Sequence, residues 1–228
     1  MREPAVAPPV RGVRLQLRDE AASYIREQIA VGQAPPGSHL PLELLARTIG
    51  MSVTPLREAL LLLAQDGIVV QEPNRGFRVA PIRRRDIADT YVVYGRVAGE
   101  LAARAATRIE DAEIARLCEL DEGMRALGAG EHERIEDGNY ALHDVIYDAA
   151  RSPHLTWFVA TSARFLPRRV WAVVPGWLEW NRTAHLPVID ALEQRDPFTA
   201  RVAMEAHVLT AADLLIAHFD ARSHWQDP

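Results

Sequence analysis

Three of the eight histidines stand where side chains from different helices could meet. His143 follows Asn139 by four residues in the stretch GNYALH, which places both on one helix face, one turn apart. His185 opens HLPVIDAL, and His207 lies in MEAHVLTA within the last helical stretch. Metal sites in helical bundles are assembled from inward side chains of facing helices. Three imidazoles and one oxygen donor suit zinc, nickel or another divalent first-row ion. The competing reading is three ordinary histidines at helix ends or in polar core positions. His39, His132, His154, His218 and His224 are read that way.

A site of this kind needs helices to hold it, and the C-terminal part of the chain supplies them. Beyond the basic joint IRRRD after Pro81, helical periodicity runs over Ala88–Thr107, Asp111–Leu127, Glu133–Ala150, Pro153–Val173, Glu179–Gln194 and Pro197–Phe219. No strand pattern intervenes, so an antiparallel all-α bundle of about six helices is expected. Trp157, Phe158, Phe165, Trp171, Trp177 and Trp180 crowd into one segment and are expected mostly in its core.

The first 80 residues read differently. Leu15–Ala30 carries Leu17, Ala21, Ile25 and Ile29 at four-residue steps and ends before the Pro35-Pro36-Gly37 punctuation. Leu42–Ile49 is a short helix closed by Gly50, and a second opens almost at once. Thr54 is its expected N-cap, with Pro55 at the first helical position. After Gly67, a β-branched run, the turn Pro73-Asn74-Arg75-Gly76 and Phe77–Ala80 spell a hairpin. Two helices across a tight turn, followed by a two-stranded wing, form the unit whose second helix enters the DNA major groove. SVTPLR, Ser52–Arg57, is then the polar tip of that helix, and ALLLLA anchors it. The helix dipole adds positive charge at the same end.

Charge distribution is compatible with this. The chain has a net charge of −5, but residues 1–80 hold 9 Arg against 8 acids and residues 81–228 hold 17 Arg against 23. The longest unbroken aliphatic run is the six residues Ala59–Ala64, against about 20 for a membrane-spanning helix. The prolines and acid of MREPAVAPPV do not make a signal peptide. A single cysteine, Cys118, fits a reducing, cytoplasmic setting. The expected organisation is a flexible arm over 1–13, a winged helix-turn-helix over 14–80, a linker over 81–87, an all-α domain over 88–221 and a tail over 222–228.

The stretch PPGSHLPLELLARTIGMSVTPLREALLLLAQDGIVVQEPNRGFRVAP resembles the winged helix-turn-helix of GntR-type bacterial transcription regulators. The resemblance implies that Thr54 and Arg57, with Ser52 beside them, meet operator bases in the major groove. It further implies that Arg47 touches phosphate and that Arg75 and Gly76 approach the minor groove. Val53 stands where the family usually has arginine, which implies a different operator base, contacted through a thymine methyl. The later stretches VYGRVAGELAARAA, GNYALHDVIYDAA and AHLPVIDALEQRDPFTARVAMEAH resemble the FCD effector domain of the FadR-type branch.

That second resemblance implies a divalent metal, zinc or nickel, on His143, His185 and His207. The family's fourth ligand is an acid, and this chain has Asn139 there, an amide without charge. A small carboxylic acid effector is implied as well, held by Arg96 and Arg164; the alternative for Arg96 is a structural ion pair with Glu100. The resulting expectation is a homodimeric regulator, a repressor, that binds palindromic double-stranded DNA and has no membrane association and no catalysis. The rival class is a metal-dependent enzyme on the bundle, although no HExxH or comparable acid–histidine pairing is present.

Overall fold

Glycine and proline set most of the element boundaries. The computed structural model describes residues 11–30, 32–81, 83–163 and 168–221, so most of the expected arm, Arg164, Phe165, His224 and the tail lie outside the described residues. The architecture is mostly α, with one small sheet, and the chain divides into two compact units, Met1–Pro81 and Ile82–Pro228.

The first unit runs α1 (Arg11–Ala30), β1 (His39–Leu40), α2 (Leu42–Ile49), α3 (Val53–Gln65), β2 (Val69–Glu72) and β3 (Gly76–Val79). Gly50 takes a left-handed φ of 72° and closes α2, as its position predicts. The cap of α3 differs from expectation. Ser52, in extended conformation, is the N-cap, and Pro55 is the third helical residue. Proline is tolerated there because all the N–H groups of a first turn lack helical partners. Leu56, Ala59, Leu60 and Leu63 form the buried face of α3, which packs against α1, and Ile25, Phe77 and Val79 are buried in the same unit. An ion pair of 2.5 Å, Arg26 to Asp66, ties α1 to the end of α3.

The hairpin turns at Pro73–Arg75, with Asn74 and Gly76 at positive φ. A third strand, β1, was not expected. It pairs with β3, giving the antiparallel order β1-β3-β2. Arg78 fastens all three strands by donating to the Gly37 carbonyl and to Glu72 and lying 3.0 Å from His39.

The second unit contains α4 (Arg84–Ala106), α5 (Asp111–Ala126), α6 (His132–Ala149), α7 (Pro153–Ala163), a 3-10 turn (Arg168–Val173), α8 (Trp177–Ala184), α9 (Leu186–Glu193) and α10 (Pro197–Ala221). Helix α4 starts at Arg84, inside the segment expected to link the units, with Asp86 favourably placed in its first turn. Of the expected helix Pro153–Val173, residues Pro153–Ala163 form α7 and Arg168–Val173 form a 3-10 turn, while 164–167 lie outside the described residues. The expected helix Glu179–Gln194 breaks at His185. Pro187 has no N–H for the Thr183 carbonyl, and its ring would clash there, so the chain restarts as α9.

Helices α4 and α10 pack along each other through small residues. A Cβ on Gly99 would stand 2.8 Å from the Arg201 carbonyl oxygen, which shows how closely the backbones approach. Among the described residues, α10 is long and apolar enough on length and composition to cross a bilayer. Met204, Val208, Leu215 and Phe219 are nonetheless buried in the unit. The aromatic segment is only partly core. Trp177 is buried and stacks on Trp171, whereas Trp157 and Phe158 are 60% and 52% exposed.

Candidate functional site

His143, His185 and His207 come together inside the second unit, all buried, each offering one nitrogen within 4.8 Å of the others. Helix α6 delivers His143, the α8–α9 break delivers His185, and α10 delivers His207. The ring centroids lie 4.7–5.5 Å apart, and Nε2 of His143 is 3.1 Å from Nε2 of His207.

Burial, reinforced by neighbouring His207, pushes His143 down to about 3. Burial pushes His207 down to about 4, against an opposing hydrogen bond to the Ala184 carbonyl. Burial, then His207 and His143, holds His185 well below the usual histidine value. All three rings are therefore neutral at pH 7, and each keeps one lone pair. That is the protonation state a metal requires of imidazole.

The groups behind the rings fit the same chemistry. A ligating histidine usually gives its other N–H to an oxygen, which orients the ring. His207 Nδ1 lies 3.2 Å from the Ala184 carbonyl. This acceptor is free because of the break: the amide of Val188, its partner in a continuous helix, bonds to the His185 carbonyl instead. His143 Nδ1 lies 3.1 Å from the Tyr147 hydroxyl, which is 3.4 Å from that of Tyr94. Trp180 stacks on His207. The donor set thus fits a divalent ion, with Asn139 half-buried one turn before His143 on α6.

Arg96 is not brought to this cluster. Its side chain is 73% exposed and pairs with Glu205 at 2.9 Å, not with Glu100. Glu205 and His207 are about 200° apart around α10, and Arg96 and Tyr94 are likewise offset on α4. Glu100 instead binds Arg104 and Arg201.

The sequence reading missed Asp121 of α5. This residue is 1% exposed, its Oδ1 lies 3.8 Å from His185 Nδ1, and Arg125 Nε stands 2.9 Å from its Oδ2. Burial raises the Asp121 carboxyl, and Arg125 opposes that rise. Neither Oδ1 of Asp121 nor either nitrogen of His185 meets a hydrogen-bond partner among the described residues. The signal was an aspartate in the stripe Leu117, Asp121, Met124, whose other members are buried apolar residues.

In the first unit, Ser52, Thr54, Arg57, Arg47, Arg75 and Gly76 are exposed, and Val53 is half-buried. Thr54, Arg57 and Leu61 share the outer face of α3, opposite its buried leucines. No acid stands in its first turn, so nothing there opposes an incoming phosphate.

Comparison with known proteins agrees with both halves. Residues 17–79 match the gntR family of bacterial regulatory proteins, and residues 89–210 match the FCD domain. The HTH-type transcriptional regulator McbR of Escherichia coli is 29% identical over 132 residues, covering 58% of this chain and 60% of that protein. A probable D-xylose utilization operon transcriptional repressor of Paenarthrobacter nicotinovorans is 25% identical over 202 residues, covering 87% of this chain and 88% of that one. The solved structure of E. coli McbR/YncC superposes with a TM-score of 0.71 at 23% identity, over 91% of this chain and 98% of that chain, which shows the fold. With a helix-turn-helix of one family in its first unit and an FCD domain in its second, the chain belongs to the GntR family of DNA-binding transcription regulators, in the FadR-type branch.

Proposed function

We propose that the chain is a ligand-responsive repressor, acting in the cytoplasm as a homodimer on a palindromic operator. The observation that carries the sensing role is the convergence of three buried, neutral imidazoles from three separate helical segments. A core stabilised only by packing gains nothing from three desolvated rings in contact. His143, His185 and His207 would hold a divalent ion, zinc or nickel, with Asn139 as an uncharged oxygen donor. When bound, the ion supplies positive charge for the oxygens of a small carboxylic acid.

The remaining work falls to the protein. Tyr147, the Ala184 carbonyl and the packing of Trp180 hold the ring planes, and burial keeps bulk water from competing for the site. In the first unit, Thr54 and Arg57 read bases, Val53 meets a thymine methyl, Arg47 contacts phosphate, and Arg75 with Gly76 enters the minor groove. Two copies related by a two-fold axis would read two half-sites. The exposed apolar side chains Val92, Val93, Trp157 and Phe158 offer surface for pairing two copies. The segment 81–86 carries the response, and the effector acts only through its different affinity for the two arrangements.

The test is selection of DNA from a random-sequence pool by the full-length protein, then titration of the bound site with zinc or nickel and a panel of small di- and tricarboxylates. A palindromic consensus is expected. One class of acid should change its affinity by roughly 5–150-fold, the usual range of allosteric coupling. His207→Ala should bind DNA normally and lose the response. A consensus without symmetry, or an equal response in His207→Ala, would sink the reading.

A further inference from the structure

We propose that Asp121 is a positioning residue of the histidine site, supplying from behind His185 the negative charge that Asn139 does not bring. The inference rests on reading the cluster as a metal site.

Two of the three imidazoles already have an oxygen at their outward nitrogen: the Ala184 carbonyl for His207 and the Tyr147 hydroxyl for His143. His185 is the exception, since both its nitrogens are buried and without a hydrogen-bond partner among the described residues. The polar atom it faces is Asp121 Oδ1, 3.8 Å from Nδ1. That separation is about 1 Å beyond a hydrogen bond. With Nδ1–H given to that carboxylate, Nε2 would be the nitrogen of His185 left to ligate.

The setting of Asp121 argues against a merely structural ion pair. Arg125 is 40% exposed, and a carboxylate needed only for that i,i+4 pair would sit as well at the surface. Asp121 is instead buried on the apolar stripe of α5, at a desolvation cost that one half-exposed guanidinium does not offset. A second feature brings it to the site. Gly138 of α6, the neighbour of Asn139, lacks a Cβ that would stand 2.6 Å from Met124 Cγ, so α5 lies tightly against the helix of His143 and Asn139.

Three neutral imidazoles and an amide leave a divalent cation uncompensated in a buried place, where charges are weakly screened. A carboxylate one imidazole away restores balance without occupying a coordination position, and it strengthens His185 as a ligand by accepting its Nδ1–H. Oxygen donors other than protein then remain free to bind.

The experiment measures affinity for Zn²⁺ and Ni²⁺ on the chelator-stripped full chain, by calorimetry with a competing chelator, together with the visible spectrum of the Co²⁺-loaded protein. Asp121→Asn is expected to weaken binding about 10–100-fold and to shift the cobalt spectrum. Asn139→Asp should tighten binding, and in the Asp121→Asn background it should restore affinity to within about threefold of the parent. Arg125→Gln, a change at a half-exposed side chain, should tighten binding by removing the rival for the carboxylate. Asp137→Asn, an exposed charge on α6, is expected to change nothing and controls for net charge.

If Asp121→Asn does not fold, Arg125→Gln decides alone: tighter binding supports the proposal, and unchanged or weaker binding overturns it. Parent-like affinity in both variants also overturns it, leaving the metal site standing. A loss in Asp121→Asn that Asn139→Asp fails to restore overturns the charge compensation. No binding by the parent chain overturns the metal reading itself.

Discussion

His143 and His207 face each other nitrogen to nitrogen, Nε2 to Nε2, 3.1 Å apart in a buried setting. Two neutral imidazoles can hold that distance by sharing one hydrogen. In that arrangement His143 donates from Nε2 and accepts from Tyr147 at Nδ1. A divalent ion held by the three histidines would need a lone pair from each ring, and with Nε2 so used His143 would keep its hydrogen on Nδ1 and donate to the Tyr147 oxygen. The Tyr147–Tyr94 contact would reverse with it, so the tautomer of His143 is linked to a hydroxyl pair that reaches α4.

Stability of the metal-free protein should fall in acid because of these rings. Their folded-state pKa values are depressed, to about 3 for His143 and about 4 for His207, below the unfolded value near 6.5. The unfolded chain therefore binds more protons than the folded one between those limits. The stabilisation is complete above pH 6.5 and is lost as pH drops towards 4 and then 3. Each ring contributes a slope of about 1.4 kcal/mol per pH unit in that window. Urea unfolding at pH 7, 6 and 5 measures it. His207→Gln should flatten the curve, and a parent protein equally stable at all three values would contradict the depressed pKa values.

Pro187→Ala should weaken the histidine site from outside it. The substitution returns an N–H to the Thr183 carbonyl and lets Val188 N–H go back to Ala184. His207 Nδ1 then loses its acceptor. Helix content by circular dichroism should hold or rise while zinc affinity drops on the order of tenfold. Unchanged affinity would mean that the break does not orient His207.

DNA binding should separate base reading from phosphate contact. Arg57→Ala is expected to cost about 1–3 kcal/mol and to relax preference at one operator position. Arg47→Ala should weaken all sequences alike and lower the slope of log affinity against log salt by about one. Fluorescence anisotropy from 50 to 200 mM salt, about one Debye-length regime to the next, distinguishes the two. A parent affinity that is flat with salt would remove the phosphate contacts.

Gly99→Ala should destabilise the helical unit by about 1–3 kcal/mol, because the new Cβ meets the Arg201 carbonyl, a backbone atom that cannot swing aside. Thermal unfolding measures this, with Gly123→Ala, whose Cβ would meet nothing within 4 Å, as the comparison.

Local signals carried much of this protein. Gly50 closing α2, the turn at Pro73–Gly76 and the leucine face of α3 are short-range features, dictated by backbone stereochemistry and helical period, and they delimit the DNA-reading unit in the sequence alone. The three histidines could be singled out because each lies in a helical stretch and because GNYALH and MEAH match a known domain. Pro187 was visible too, yet the helix break it imposes was not expected, and neither was strand β1, two residues long and held only by pairing with a partner some 39 positions away.

Tertiary structure decided what no period encodes. Asp121 stands beside His185 because α5 packs it there, 64 positions away in the chain. Arg96 pairs with Glu205 of α10, a partner 109 positions away, and not with Glu100 four residues on. The acceptor behind His207 exists only because a proline on one helix frees a carbonyl facing another. Residue types and spacing determine which faces are apolar and which groups can titrate or ligate. Which of those groups meet depends on contacts between helices far apart in the chain, and glycines permit close approaches such as Gly99 on Arg201 and Gly138 on Met124.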